Sequence, residues 1–200
     1  AVLTLEGPLL VLAGAGTGKT RVVTHRIAEL IRQGTTPDRI LAVTFTRKAA
    51  QEMQQRAAAL LGGGKSRRKP GPRPEISTFH SLCVKILRRH IAKLDYPPQF
   101  VICDRGDQEA EARSALREIR CPDQSLRPGD FLAIVSQWKT RALDPARAAS
   151  VAETDKEHLA AAAYRRYQSS LKTKGMVDFD DLLLLVQRLF AKSPAVRREE

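Results

Sequence analysis

Ala13-Gly14-Ala15-Gly16-Thr17-Gly18-Lys19-Thr20 is the stretch whose reading decides the fold. It follows the apolar run Leu9-Leu10-Val11-Leu12 and opens a helical pattern that begins near Arg21. A strand that feeds a glycine-rich turn into a helix start builds a phosphate cradle. Glycines 14, 16 and 18 let successive backbone N–H groups point inward, and the helix dipole adds positive potential at the same spot. Lys19 is expected to reach the β- and γ-phosphates of a nucleotide, and the Thr20 hydroxyl to sit on Mg²⁺. The usual pattern begins with Gly; here Ala13, still small, keeps the turn feasible. The alternative, a glycine-rich loop without a ligand, does not explain the strand–loop–helix context that surrounds it.

The bulk of the chain narrows the partner. Its 200 residues suit one large domain or two small ones. The hydrophobic fraction of 42% supports a core, and with aromatics at only 5% aliphatic side chains must fill it. No run approaches the roughly 20 apolar residues of a membrane span. No basic–apolar–cleavage pattern marks a signal peptide, so a cytoplasmic protein with no membrane partner is expected. A net charge of +12 favours a polyanion, most often nucleic acid, over an inert basic surface. Cys83, Cys103 and Cys121 lack CxxC spacing and read as reduced and structural. His25, His80, His90 and His158 do not pair with them at metal spacing, so no metal is expected beyond nucleotide Mg²⁺.

Along the chain, residues 2–12 read as a buried strand. Residues 21–33 read as a helix, with Val23, Ile27, Leu30 and Ile31 on one face and Gly34 just past its end. Residues 40–45 read as a fully buried strand, which this β–α–β order makes parallel with a right-handed crossover. A helix over 48–61 follows, with Met53, Ala57, Leu60 and Leu61 as its stripe, ended by Gly62-Gly63-Gly64. Residues 65–74 carry five basic residues and three prolines and read as a flexible basic loop, either solvated or touching phosphate. A short strand over 75–80 runs into a helix over 81–90 with Leu82, Ile86 and Leu87 inward. Beyond Asp104 the chain reads as helical: 105–120, 128–141, 155–171 and 179–191. No strand is expected there, and Val101-Ile102 is too short to assign. Gly175-Met176-Val177-Asp178 reads as a hinge, with Asp178 capping the last helix and Asp181 completing an acidic capping box. The fold class is therefore α/β: an incomplete parallel P-loop NTPase (RecA-like) sheet with an inserted all-helical subdomain.

Two further segments fall at strand ends, where open parallel sheets bind ligands. One runs from Thr44 through Phe45, Thr46, Arg47 and Lys48 to Ala50; the other is Thr78-Phe79-His80-Ser81. Phe45 offers a face for a nucleic-acid base. Thr46, Arg47, Lys48, Thr78 and His80 can bond or neutralise phosphates. Each has a plainer alternative: Phe45 as a core aromatic, His80 as a capping or core histidine. Asp178, Asp180 and Asp181 read as a cap and surface rather than a metal box, and Trp138 as core rather than a base platform.

Together these segments resemble a family. Leu12 through the phosphate loop to Val22 looks like the Walker A segment of UvrD/Rep/PcrA-type superfamily 1A DNA helicases. Leu41 to Ala50, followed by Glu52-Met53, looks like their motif Ia, and Ser77 to Ser81 like the next DNA-contacting motif. Val177-Asp178-Phe179-Asp180-Asp181-Leu182-Leu183 is similar to the segment where helical subdomain 1B rejoins motor domain 1A. Order and spacing agree along nearly all of the chain.

The resemblance implies an ATP- and Mg²⁺-dependent motor that moves 3′ to 5′ on single-stranded DNA and opens duplex at single-strand/duplex junctions. Lys19 and Thr20 would hold triphosphate and Mg²⁺, with Arg21 beside the nucleotide. Phe45 would stack on DNA, and Thr46, Arg47, Thr78 and His80 would line the track. The family usually has Asn at position 47, where this chain has Arg47. The implied division is 1–97 for the first part of domain 1A, 98–177 for subdomain 1B, and 178–200 for the return into 1A. The family's adenine-reading glutamine, Walker B acidic pair and second motor domain with its arginine finger fall outside these residues. The expectation is a piece of an ATP hydrolase that binds nucleotide but hydrolyses it poorly alone. The alternatives are a non-catalytic nucleic-acid-binding P-loop module, or a small-molecule kinase, for which no acidic catalytic residue or lid is visible.

Overall fold

The computed structural model describes residues 1–14, 16–61, 72–122 and 124–200. Ala15, the glycine run 62–64 and residues 65–71 of the basic loop lie outside them. The chain forms two compact units, Ala1–Leu82 and Cys83–Glu200. It mixes helices with small parallel sheets.

In the first unit, helix α1 (Lys19–Arg32) is followed by a 3-10 turn (Pro37–Arg39), strand β1 (Leu41–Thr44), helix α2 (Arg47–Leu60) and strand β2 (Glu75–Thr78). Gly34 stops α1 at a φ of 97°. Its N–H donates to the Ile31 carbonyl (3.0 Å) and the Thr35 N–H to Leu30 (3.0 Å), the two bonds of a Schellman stop. β1 and β2 pair in parallel, with Leu41 opposite Glu75 and Thr44 opposite Thr78, whereas the expected parallel pair was residues 2–12 with 40–45. Ile27, Ile40, Ala42, Met53, Ala57 and Ile76 form the core, with Leu30 and Ile31 packed against it.

Three expectations fail here. Residues 2–12 form no strand, and Leu10 and Leu12 are over four-fifths exposed. A strand needs a hydrogen-bonded neighbour, and the sheet consists of β1 and β2, neither of which pairs with this run. The Arg26 guanidinium instead holds the carbonyls of Ala1 and Thr4. β1 is half-buried rather than fully buried: Ala42 faces the core and Leu41 is exposed, as strand alternation requires when only one face is covered. Val23, Leu60 and Leu61 are also exposed, each at the rim of its helix stripe.

Helix α3 (Phe79–His90) carries the chain into the second unit. There follow strand β3 (Val101–Ile102), helices α4 (Arg105–Glu118), α5 (Pro128–Thr140), α6 (Pro145–Val151) and α7 (Asp155–Thr173), strand β4 (Met176–Val177), and helices α8 (Phe179–Lys192) and α9 (Pro194–Glu199). The four long helices lie close to where periodicity put them. Their starts are chemically marked. Asp104 with Asp107 and Thr154 with Glu157 form capping boxes on α4 and α7. Phe131 meets Tyr167 edge-on at 5.6 Å, and Trp138 stacks on Tyr164 at 6.0 Å inside the core, as expected of Trp138.

The expected hinge at 175–178 is in part a strand. β4 pairs in parallel with β3, the Val101 N–H donating to Gly175 (2.8 Å) and the Cys103 N–H to Val177 (2.9 Å). The pairing joins residues more than seventy positions apart, and two-residue strands carry no periodicity of their own. The acidic trio also needs correction. Asp178 does cap α8, accepting from the Asp181 N–H at 2.9 Å, but neither residue is on the surface: both are 4% exposed. Lys139, from α5, supplies the counter-charge that lets them be buried. No helix among the described residues is long and apolar enough to cross a membrane.

Candidate nucleotide and nucleic-acid site

The glycine-rich loop leads directly into α1. Gly16 and Gly18 take left-handed backbone, with φ 75° and 85°, which a β-carbon would strain. Gly18 is the N-cap and offers no side-chain acceptor, so the helix start keeps its donors. The first intrahelical bond shown runs from the Val22 N–H to the Gly18 carbonyl at 3.0 Å. No acidic residue stands in the first turn of α1 to neutralise the dipole.

Lys19 folds back across the loop. Its ammonium donates to the Gly14 carbonyl (2.6 Å) and the Ala13 carbonyl (3.0 Å). Thr17 donates its hydroxyl to Gly14 at 2.8 Å and braces the same turn. Thr20 is half-buried on the first turn and Arg21 is exposed. An acid-free helix start with a tethered ammonium beside it has the chemistry to hold an anion such as an oligophosphate. The residues fit ATP in that sense. Among the described residues no group of three His, Cys, Asp or Glu side chains is placed to hold a metal ion.

A second candidate region lies past the ends of β1 and β2. Phe45 is 89% exposed, so it is not a core aromatic. Thr46 caps α2, its hydroxyl accepting from the Ala49 N–H at 3.1 Å. Arg47 and Lys48 then occupy the first turn of α2, both exposed and with no acidic neighbour in that turn. Cations are disfavoured at a helix N-terminus by about 0.3–1 kcal/mol each, so their placement opposes helix stability and suits an anion. Thr78 is buried, its hydroxyl donating to Ser81 Oγ (2.8 Å) and accepting from the Ser81 N–H (3.1 Å). That hydroxyl holds the strand–helix turn. His80 is half-buried in the first turn of α3.

Sequence reasoning passed over two features. Phe79 sits 5.8 Å from Phe45, ring centre to ring centre, and only the β1–β2 register reveals the pair. In the second unit, Lys139 is fully buried between Asp178 (2.5 Å) and Asp181 (2.9 Å). Tyr167 donates its hydroxyl to Asp178 (3.1 Å) and Gln168 its amide to Asp181 (2.7 Å). Burial pushes the Lys139 ammonium towards losing its proton, but Asp181 and Asp178 outweigh it and hold its pKa above the usual lysine value. Burial, with the charge of Asp178 added, raises the Asp181 carboxyl, and Lys139 opposes this. A lone lysine in an amphipathic pattern gives no sign of such a role.

The family model described as UvrD/REP helicase N-terminal domain matches residues 1–200. Proteins named ATP-dependent DNA helicase PcrA are similar along 98% of the chain. The one from Leuconostoc citreum is 41% identical over 197 residues, that from Bacillus subtilis 40% over 197, and that from Staphylococcus aureus 38% over 200. The chain spans 26% of the length of each of these relatives.

Proposed function

The chain belongs to the UvrD/REP helicase N-terminal domain family, and from that premise we propose that it forms the ATP- and single-stranded-DNA-binding front of an ATP-dependent 3′–5′ DNA helicase. The observation that carries the reading is the Lys19 ammonium lying across a glycine loop at an acid-free helix start. On this reading the backbone N–H groups of residues 14–20 cradle the phosphates. Lys19 would exchange its loop carbonyls for phosphate oxygens, Thr20 would hold Mg²⁺, and Arg21 would flank the nucleotide. ATP, when bound, supplies the phosphoryl transfer that drives movement.

The exposed ring of Phe45 stacks on a base, and Arg47 and Lys48 neutralise phosphate at the start of α2. Thr46 and Thr78 act indirectly, by fixing the turns that present Phe45 and His80 to the track. Single-strand/duplex junctions are the proposed substrate, and a second motor domain the proposed partner. The proposed division keeps residues 1–97 as the P-loop motor part, 98–177 as the inserted helical subdomain and 178–200 as the return. Kinship with helicases favours this reading over a non-catalytic nucleic-acid-binding module.

A chimaera tests it. This chain replaces the matching quarter of Bacillus subtilis PcrA, and unwinding is measured on duplexes with a 3′ or a 5′ single-stranded tail. The expected result is ATP-dependent opening of the 3′-tailed duplex, abolished by Lys19→Ala. A folded chimaera that opens neither duplex, or one indifferent to Lys19→Ala, contradicts the proposal.

A further inference from the structure

We propose that Phe79 is a positioning residue for Phe45: its ring props the exposed Phe45 ring in the orientation that accepts a base of single-stranded DNA. The proposal rests on the reading of Phe45 as a base platform. Thr44 and Thr78 are paired across β1 and β2, so Phe45 and Phe79 are the next residues out from the same end of the sheet. Their ring centres are 5.8 Å apart and their planes are inclined by 45°.

The two rings differ in how firmly they are held. Phe45 is 89% exposed, and almost nothing else confines its rotamer. A side chain that free must be ordered before a base can stack on it, and that ordering subtracts from affinity. Phe79 is 40% exposed and begins α3. Its backbone is fixed on one side by the β1–β2 ladder and on the other by the Thr78–Ser81 hydroxyl pair. Neither ring belongs to the core of Ile27, Ile40, Ala42, Met53, Ala57 and Ile76, so the pair is not a spill-over of that core. A tilted neighbour restrains an aromatic ring while leaving most of it open, and the exposure of Phe45 shows that it is open. The pair thus reads as a pre-organised single-base platform.

The test uses the whole chain and four variants: Phe79→Leu, which keeps apolar bulk but loses the ring, Phe79→Tyr, Phe45→Ala, and Phe45→Ala with Phe79→Leu. Affinity for a fluorescein-labelled oligo-dT is read by anisotropy. A second oligonucleotide carrying 2-aminopurine reports stacking by its quenching at saturating protein, which does not depend on how much protein is folded. Phe79→Leu is expected to weaken binding about two- to tenfold, the range an aromatic pair supports. It should also reduce quenching at saturation and have no further effect once Phe45 is Ala. Phe79→Tyr should behave as the parent.

Weakening by Phe45→Ala with none by Phe79→Leu overturns the positioning role and leaves the base platform standing. An equal effect of Phe79→Leu with and without Phe45 also overturns it, because Phe79 would then touch DNA in its own right. If neither Phe45→Ala nor Phe79→Leu alters affinity or quenching, the platform reading falls and the proposal with it.

Discussion

Phe45 shows what a single residue settles. A phenylalanine at the end of a β-run fits a core or a base platform equally well on pattern alone, and its 89% exposure removes the first. Phe45→Ala is therefore expected to weaken single-stranded DNA binding by about 1–3 kcal/mol. Its melting temperature should stay close to the parent's, whereas loss of a core phenylalanine costs roughly 3–5 kcal/mol of stability. Anisotropy beside thermal melting checks both halves; a large fall in melting temperature with DNA affinity intact contradicts the role. Residue types and local spacing made the places of Lys19, Phe45 and Arg47 legible, because a loop, a strand end and a helix start each have a local signature. Thr78 was legible only in part. Its place at a strand end could be read, but not that Ser81 would occupy its hydroxyl. Phe79 became visible only through pairing between strands over thirty residues apart.

At the scale of elements, the long helices and strands β1 and β2 were readable, whereas the short helices α6 and α9 and the two-residue strands β3 and β4 were not. Apolar stripes and caps such as Thr154–Glu157 announce a helix within one turn. β3 and β4 depend wholly on a partner distant in sequence, and the apolar run 9–12 lacks one. The node that joins α5 to the start of α8 is the element-scale feature with the largest expected effect. Lys139→Met leaves Asp178 and Asp181 buried without a counter-charge, and should destabilise the chain by about 3–5 kcal/mol at neutral pH.

The pH dependence has a definite sign. Asp181 has a folded pKa above its unfolded one, so its ionisation opposes folding as pH rises through that interval. Without Lys139 the carboxyl is raised further, so the deficit of Lys139→Met should shrink as pH falls into the carboxylate range. Urea midpoints at pH 7 and pH 5 measure this; equal deficits at the two values contradict the assignment. Glu111 has the opposite sign. Burial raises its carboxyl, but hydrogen bonds from Lys174 and Ser170 outweigh it and hold it below the ordinary 4.5. Its contribution is present above the unfolded value and is lost as pH falls through the folded one. Glu111→Gln should therefore flatten the acid limb of the stability curve.

Across the whole molecule the charge is unevenly shared. Thirteen of the basic residues and only five acidic ones fall in Ala1–Leu82, a net +8 of the chain's +12. The unit with the glycine-rich loop and the exposed aromatic pair is thus also the more basic one. Affinity for single-stranded DNA should fall linearly with salt on a log–log plot. Replacing Arg47 and Lys48 by Ala should lower the slope by about 0.7 for each phosphate that is no longer neutralised. A slope unchanged in the double variant means that other residues meet the phosphates. At this scale the family was legible from motif order, whereas the half-covered sheet was not, since coverage is a property of the assembled unit. The central claim is that the loop around Lys19 binds nucleotide. Titration of the chain with a fluorescent ATP analogue in Mg²⁺, beside a folded Lys19→Ala variant, tests it most directly. The account predicts saturable binding by the parent and at least about a tenfold loss in the variant, the equivalent of 1.4 kcal/mol; equal affinity in the two would contradict it.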